Sequence, residues 1–199
     1  MVLSTVLSIK AEAGAESLYR NSGGNMVIAA FASSSMKQFS KEVRKLGECL
    51  GRSGYTLVFG GCDYGLMHEI AEGFSQSGAR VTGVVPGFFN TRNIHPACSP
   101  VLTTNDLTDR KEKMIELADA FLILPGGVGT MDELFTVLAQ KSIGAYEKPV
   151  LLFNPDGFYD TLLKMLEDMQ RFGAIREKVT DMVKTFAVPE EALEILGHA

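Results

Sequence analysis

Ala120-Phe121-Leu122-Ile123-Leu124 runs directly into Pro125-Gly126-Gly127-Val128-Gly129-Thr130-Met131-Asp132-Glu133, and this junction decides the fold. A short unbroken apolar run ended by proline and glycine reads as a strand covered on both faces. The residues after it predict a helix whose first turn begins near Thr130. Gly126, Gly127 and Gly129 therefore free backbone N–H groups just ahead of a helix N-terminus, which makes a phosphate cradle. The glycines lack the G-x-G-x-x-G spacing of dinucleotide folds, and no G-K-[ST] completes a P-loop, so hydride transfer and ATP-type phosphoryl transfer are disfavoured.

Working outward, six further runs read as strands: Met26 to Phe31, Thr56 to Phe59, Arg80 to Val85, Val101 to Thr103, Val150 to Phe153 and Met182 to Phe186. Between them apolar residues recur at helical spacing, as in Phe39, Val43, Leu46 and Leu50, or Leu162, Met165, Leu166 and Met169. This alternation predicts an α/β fold, a Rossmann-like, doubly wound and mostly parallel sheet of about seven strands with helices on both faces. Ligands in such sheets bind outside the carboxyl ends of the strands, so function belongs in the strand-to-helix loops. Residues 1–25, small, polar and dotted with glycine, read as a leader or one short helix, and residues 26–199 as a single domain of this fold.

Composition narrows the partners. An apolar fraction of 46% and a charged fraction of 22% suffice for a core and exclude disorder. Nineteen Lys and Arg against 24 Asp and Glu give a net charge of -5, which argues against nucleic acid as a partner. No run approaches the roughly 18 apolar residues of a membrane span, and the first residues lack the basic start of a signal peptide. Cys49, Cys62 and Cys98 form no C-x-x-C pair, so neither a disulfide framework nor a zinc ribbon is expected, and the compartment reads as reducing and cytoplasmic.

Two other loops and one helix start carry chemistry. Ala32-Ser33-Ser34-Ser35 follows the first strand and offers hydroxyls that cap a helix or donate to an anion. Gly60-Gly61-Cys62-Asp63-Tyr64-Gly65-Leu66-Met67 follows the second and lets backbone approach a ligand closely. In Thr108-Asp109-Arg110-Lys111-Glu112, Asp109 has the spacing of a helix cap with Glu112 behind it. Arg110 and Lys111 would then sit in the first turn, opposing the helix dipole by roughly 0.3–1 kcal/mol each unless an anion faces them. Solvated surface charge is the plainer alternative. Thr130 and Glu133 stand at capping-box spacing, yet a phosphate on the same helix end would leave the Glu133 carboxylate free to turn toward a sugar. His68-Glu69 lacks the second histidine of H-E-x-x-H, so no metal is expected, and no lysine is marked as a pyridoxal Schiff base. Phe88 and Phe89 read as core, or as flanks for a flat purine.

Gly60-Gly61-x-x-x-Gly65-Leu66-Met67, then Asp109-Arg110-Lys111, then Pro125-Gly126-Gly127-x-Gly129-Thr130-x-x-Glu133 resemble, in order, the motifs of the Lonely Guy (LOG) family, whose members were often labelled lysine decarboxylase-like. The similarity runs from about Met26 to Phe172, and its last motif is highly specific. Cys62, His68 and Thr108-Asp109 depart from the usual pattern. The resemblance implies a Rossmann-like fold, usually dimeric, and hydrolysis of the N-glycosidic bond of AMP or N6-substituted cytokinin nucleotides to free base and ribose 5-phosphate, without a cofactor. It places the catalytic pair on Glu133 and Arg110 and the phosphate loop on Gly126, Gly127, Gly129 and Thr130. Further nucleotide contacts are expected from Ser33, Ser34, Gly60, Gly61, Met67 and Lys111. A carrier of the same fold that binds a nucleotide or cofactor without cleaving it is the competing reading. A homodimer is expected through the helix after the cradle, where Met131, Leu134, Phe135 and Leu138 make an apolar stripe with Phe135 the outward member.

Overall fold

The computed structural model describes residues 25–89 and 91–197, and the expected leader over 1–25 lies outside them apart from Asn25. In chain order the elements are β1 (Val27–Phe31), α1 (Ser40–Arg52), β2 (Thr56–Phe59), α2 (Gly65–Gln76), β3 (Val81–Pro86), β4 (Val101–Thr104), α3 (Leu107–Leu117), β5 (Ala120–Ile123), α4 (Val128–Ser142), β6 (Val150–Phe153), α5 (Asp160–Arg171), α6 (Val179–Met182), β7 (Lys184–Phe186) and α7 (Pro189–Gly197), with short 3-10 turns at Thr91–Asn93 and Pro155–Gly157. All seven expected strands form. The last is shorter than expected, because Met182 closes the short helix α6 and pairing with β6 starts only at Lys184.

The strands make one sheet in the order β4-β3-β2-β1-β5-β6-β7, every neighbouring pair parallel. Side chains alternate across it as the two-residue strand period requires. Ile28 and Ala30 of β1 enter the layer with Leu46 and Leu50 of α1, Ile70 and Phe74 of α2 and Leu196 of α7. Val27, Ala29 and Phe31 of the same strand enter the opposite layer with Met114 of α3, Leu134 and Val137 of α4 and Leu166 of α5. Both faces are covered, so the central strands are apolar throughout. The order reverses direction between β1 and β5. Chains leaving those two strands turn to opposite faces, and a crevice opens between them at their carboxyl ends.

Candidate active site

The crevice is floored by a backbone stitch: the Ser33 N–H donates to the Pro125 carbonyl across 3.2 Å, joining the loop after β1 to the loop after β5. Around it a cleft of about 290 Å³ is lined by Ser33, Ser34, Ser35, Met67, Gly127, Gly129, Thr130, Arg110 and Glu133, with the end of β1 behind them. The structure thus gathers residues from four separate loops and helix starts into one space, as the sequence predicts for most of them.

The cradle differs in detail from its expected form. Helix α4 begins at Val128, two residues before Thr130, and its N-cap is Gly127 in an extended conformation with no side-chain cap. The Thr130–Glu133 capping box does not form, because both residues already lie inside the helix. Instead the α4 N-terminus presents its first-turn N–H groups uncapped, the condition under which a helix end takes an anion. A Cβ on Gly127 or Gly129 would meet nothing within 4 Å, so both glycines border open space. Gly126 is the packed one: a Cβ there would overlap Thr130, whose side chain is buried beneath the loop.

Helix α3 is also offset. Asp106, not Asp109, is its N-cap, accepting from the N–H groups of Thr108 at 2.7 Å and Asp109 at 2.9 Å. Arg110 and Lys111 consequently lie in the second turn, and the expected conflict with the helix dipole shrinks because that effect fades beyond the first turn. Lys111 turns away to Asp132, Nζ to Oδ2 2.8 Å. Arg110 turns into the crevice. Its Nη2 stands 4.0 Å from Glu133 Oε1, with the two side chains only 15% and 16% exposed. Its Nε is buried with no hydrogen-bond partner among the described residues. Burial raises the Glu133 carboxyl to about pKa 7, with Arg110 pulling the other way, Asp132 adding to the rise and Lys111 opposing it. A carboxyl held near neutrality in a cleft is suited to taking up or releasing a proton at working pH.

The hydroxyl run caps a turn rather than a helix. Ser33 Oγ accepts from the N–H groups of Ser35 at 3.1 Å and Met36 at 3.0 Å, while α1 begins only at Ser40. The Ser33 carbonyl accepts from Leu66 and Met67 at the start of α2, which fixes that helix against the crevice. Beside the main cleft lies a smaller one of about 140 Å³, bordered by Gly60, Gly61, Cys62, Val85, Phe89 and Ile94 and sharing Ser34, Met67 and Arg110 with it. Phe88 and Phe89 are stacked on each other and exposed, so they are surface residues, and Phe89 joins this wall.

One positioning residue carries no motif. The buried Tyr159 hydroxyl, delivered by the start of α5, donates to the Leu124 carbonyl at 2.7 Å, directly under the Pro125–Gly127 loop. Its only sequence signal is a tyrosine just past a Pro-Asp-Gly turn.

Residues 67–196 match the family described as "Possible lysine decarboxylase". Over 153 residues, 76% of this chain and 63% of the relative, it is 35% identical to a rice (Oryza sativa subsp. japonica) protein named "Probable cytokinin riboside 5'-monophosphate phosphoribohydrolase LOGL2". A second rice protein of that name, LOGL1, is 35% identical over 78% of this chain and 70% of its own length. The chain belongs to the LOG family. A protein of Rhodococcoides fascians named "Cytokinin riboside 5'-monophosphate phosphoribohydrolase" is 39% identical over 61% of this chain and 63% of its own length. Among solved structures, the molybdenum cofactor binding protein of Rippkaea orientalis superposes with a TM-score of 0.68 at 21% identity, covering 89% of this chain and 98% of that one. That likeness shows that this LOG chain and the cofactor-binding protein share a fold.

Proposed function

We propose that the protein hydrolyses the N-glycosidic bond of purine nucleoside 5'-monophosphates, AMP or its N6-substituted cytokinin counterparts, giving the free base and ribose 5-phosphate. The names of its LOG relatives support this reading. The observation that carries it is the Arg110–Glu133 pair, nearly buried beside an uncapped helix end. A binding protein needs the helix end; it has no need of a carboxylate whose ionisation is made costly by burial. The pair therefore favours hydrolysis over the carrier reading.

In this mechanism the 5'-phosphate accepts from the first-turn N–H groups of α4, Thr130 among them, and from the Ser33–Ser34 loop. Energy from that remote contact holds the ribose while positive charge develops at its anomeric carbon. Glu133 in its ionised form faces the ribose, stabilises that charge and takes a proton from the attacking water, as carboxylates do in glycoside hydrolysis. Water supplies the new C–O bond, the C–N bond breaks, its electron pair leaves with the base, and the base ends protonated. Arg110 orients the Glu133 carboxylate and neutralises negative charge on the substrate. The smaller cleft, with Met67, Val85, Phe89 and Ile94, takes the base. No step calls for a metal or organic cofactor.

The test is chromatography of reactions with AMP, isopentenyl-AMP and adenosine. Release of base from either nucleotide and far slower release from adenosine is expected, since adenosine forfeits several charge-assisted hydrogen bonds at once. Equal rates on AMP and adenosine would remove the phosphate from the reading, and no release from any of them would leave the carrier.

The active form we infer is a homodimer in a reducing, cytoplasmic setting. Leu134, Val137 and Leu138 of α4 are buried in the chain's own core, whereas Phe135 is 39% exposed and Val128 88% exposed. An apolar residue facing outward beside the cradle fits a two-fold interface that closes the cleft's edge. Cys49, Cys62 and Cys98 are all unpaired, and no helix of the described residues is long and apolar enough to cross a membrane. Light scattering should give about twice the chain mass, and Phe135→Glu should lower dimer content and activity together; a fully active monomer would refute it.

A further inference from the structure

Next to residues Cys62, Met67 and Ile94 of the smaller cleft, two histidines and two carboxylates converge from three segments. Asp63 lies in the loop after β2, His68 and Glu72 one turn apart on α2, and His95 just beyond the Thr91–Asn93 turn. The ligand atoms of Asp63, His68 and His95 all lie within 4.8 Å of one another. His68 Nδ1 is 2.8 Å from Asp63 Oδ1, and His95 Nε2 is 3.8 Å from that same oxygen and 3.5 Å from Glu72 Oε2. The His95 side chain is 1% exposed, and its Nε2 makes no hydrogen bond although it points into the cluster.

We infer that Asp63, His68, Glu72 and His95 form a binding site for a divalent transition-metal ion of the zinc class. Ligands about 2.1 Å from a tetrahedral ion stand about 3.4 Å apart. The His95–Glu72 separation of 3.5 Å is close to that, the His95–Asp63 separation of 3.8 Å and the 2.8 Å His68–Asp63 contact would close and open on loading, and Glu72, outside the three-residue group, would join it from the His95 side. Two imidazoles with two carboxylates match the donor preference of zinc and its neighbours and balance a double positive charge. Glu72 is already oriented from outside, its Oε1 accepting from Gln76 Nε2 at 2.7 Å. Such outer contacts are what fixes a ligand's direction at metal sites.

The hydrogen-bond pattern states what loading requires. His95 Nδ1 accepts from the Ala97 N–H at 3.2 Å, so without metal the ring proton resides on Nε2, which makes no hydrogen bond. Ligation moves that proton to Nδ1 and turns the Ala97 amide away, exchanging one long hydrogen bond for a metal–nitrogen bond. The sequence concealed the site because it is neither H-E-x-x-H nor contiguous. His68 and Glu72 supply an H-E-x-x-E face, and the fold brings His95 from 27 residues further on. The ion would tie the loop over Gly60–Asp63 to the strand-like segment at Ile94, which already joins it through the Asp63 N–H to the Asn93 carbonyl at 2.9 Å and the His95 N–H to the Gly61 carbonyl at 2.8 Å. Both segments border the smaller cleft, so occupancy would stiffen the wall assigned to the base.

The test uses tag-free chain stripped with chelator, titrated with Co²⁺ for its visible d–d absorption and with Zn²⁺ by calorimetry and thermal melting, with no nucleotide present. The expected result is about one ion per chain and a higher Tm with Zn²⁺, weakening at acid pH as the ligands protonate. Loss of an outer-shell partner alone weakens metal binding about 10–100-fold, so His68→Ala and Glu72→Gln should each weaken it at least that much. Both sit partly exposed on a helix and should fold; His95→Gln is the sterner variant, and its melting curve shows whether the chain still folds. Absence of stoichiometric binding by the wild type overturns the inference, and so does wild-type affinity in both His68→Ala and Glu72→Gln. Because the readout is metal binding, failure here leaves the hydrolase reading intact, and failure of hydrolysis leaves the metal site intact.

Discussion

Gly60 leaves the space that the Arg110 guanidinium fills: a Cβ on Gly60 would overlap Arg110 Nη2. The glycine just after β2 therefore gives room to a side chain 50 residues later, and a methyl there would have to displace the guanidinium.

Gly60→Ala should act as a positional variant of Arg110. The methyl either expels the guanidinium or shifts the loop, at a cost of about 1–3 kcal/mol typical of overpacking. Base release should fall toward the level of Arg110→Ala while the chain still folds. Turnover equal to wild type would show that Arg110 acts from another position.

Glu133→Gln should retain AMP binding and lose about 10²–10⁴-fold in turnover, the range associated with a positioned acid–base group. It should also be more stable than the wild type at alkaline pH. The folded carboxyl titrates near 7 against 4.5 for the ordinary group, so ionising it costs the folded state about 3 kcal/mol. That stability is present below about pH 4.5 and is lost as pH rises through about 7. Melting curves at pH 5 and pH 8 should show the Gln variant's advantage growing between them by about that amount. A constant difference would mean that Glu133 is not desolvated.

The free-enzyme pH profile follows from the same burial. A carboxylate that takes a proton from water must be ionised, so kcat/KM for AMP should climb as pH rises through about 7. An optimum well below that, falling toward neutrality, would make Glu133 an acid in the rate-limiting step.

Tyr159→Phe removes the hydroxyl that holds the Leu124 carbonyl beneath the cradle. One buried hydrogen bond is worth about 0.5–1.5 kcal/mol net, and an unsatisfied carbonyl left behind costs about 1–3 kcal/mol. The variant should therefore melt earlier, and its KM for AMP should rise more than its kcat falls, because the loop it steadies is the one proposed to hold phosphate. An unchanged KM would confine Tyr159 to stability.

Most of the sheet was legible because its strands are short, apolar and bounded by glycine and proline, a signal that tertiary context reinforces. The helix starts were less so. Asp106 outcompeted Asp109 as a cap, since either aspartate offers an acceptor at a plausible offset and only the backbone direction after β4 decides between them. At α4 the Thr130–Glu133 spacing suggested a capping box, but Gly127, lacking a side chain to cap with, began the helix earlier and left the pair inside it. The Arg110–Glu133 approach was legible through the family's motifs. Tyr159, His95 and the packing of Gly60 were not, because each depends on contacts between segments whose separation in sequence carries no period.

The stitch between Ser33 and Pro125 has a further consequence. It is made of main-chain atoms only, so the width of the crevice floor is indifferent to which side chains the two loops carry. On the proposed reading, substitutions along their rims can retune which base or sugar is welcomed without shifting the floor beneath it. If the hydrolase reading holds, a lineage could thus wander among related substrates by single replacements, each intermediate keeping its foothold.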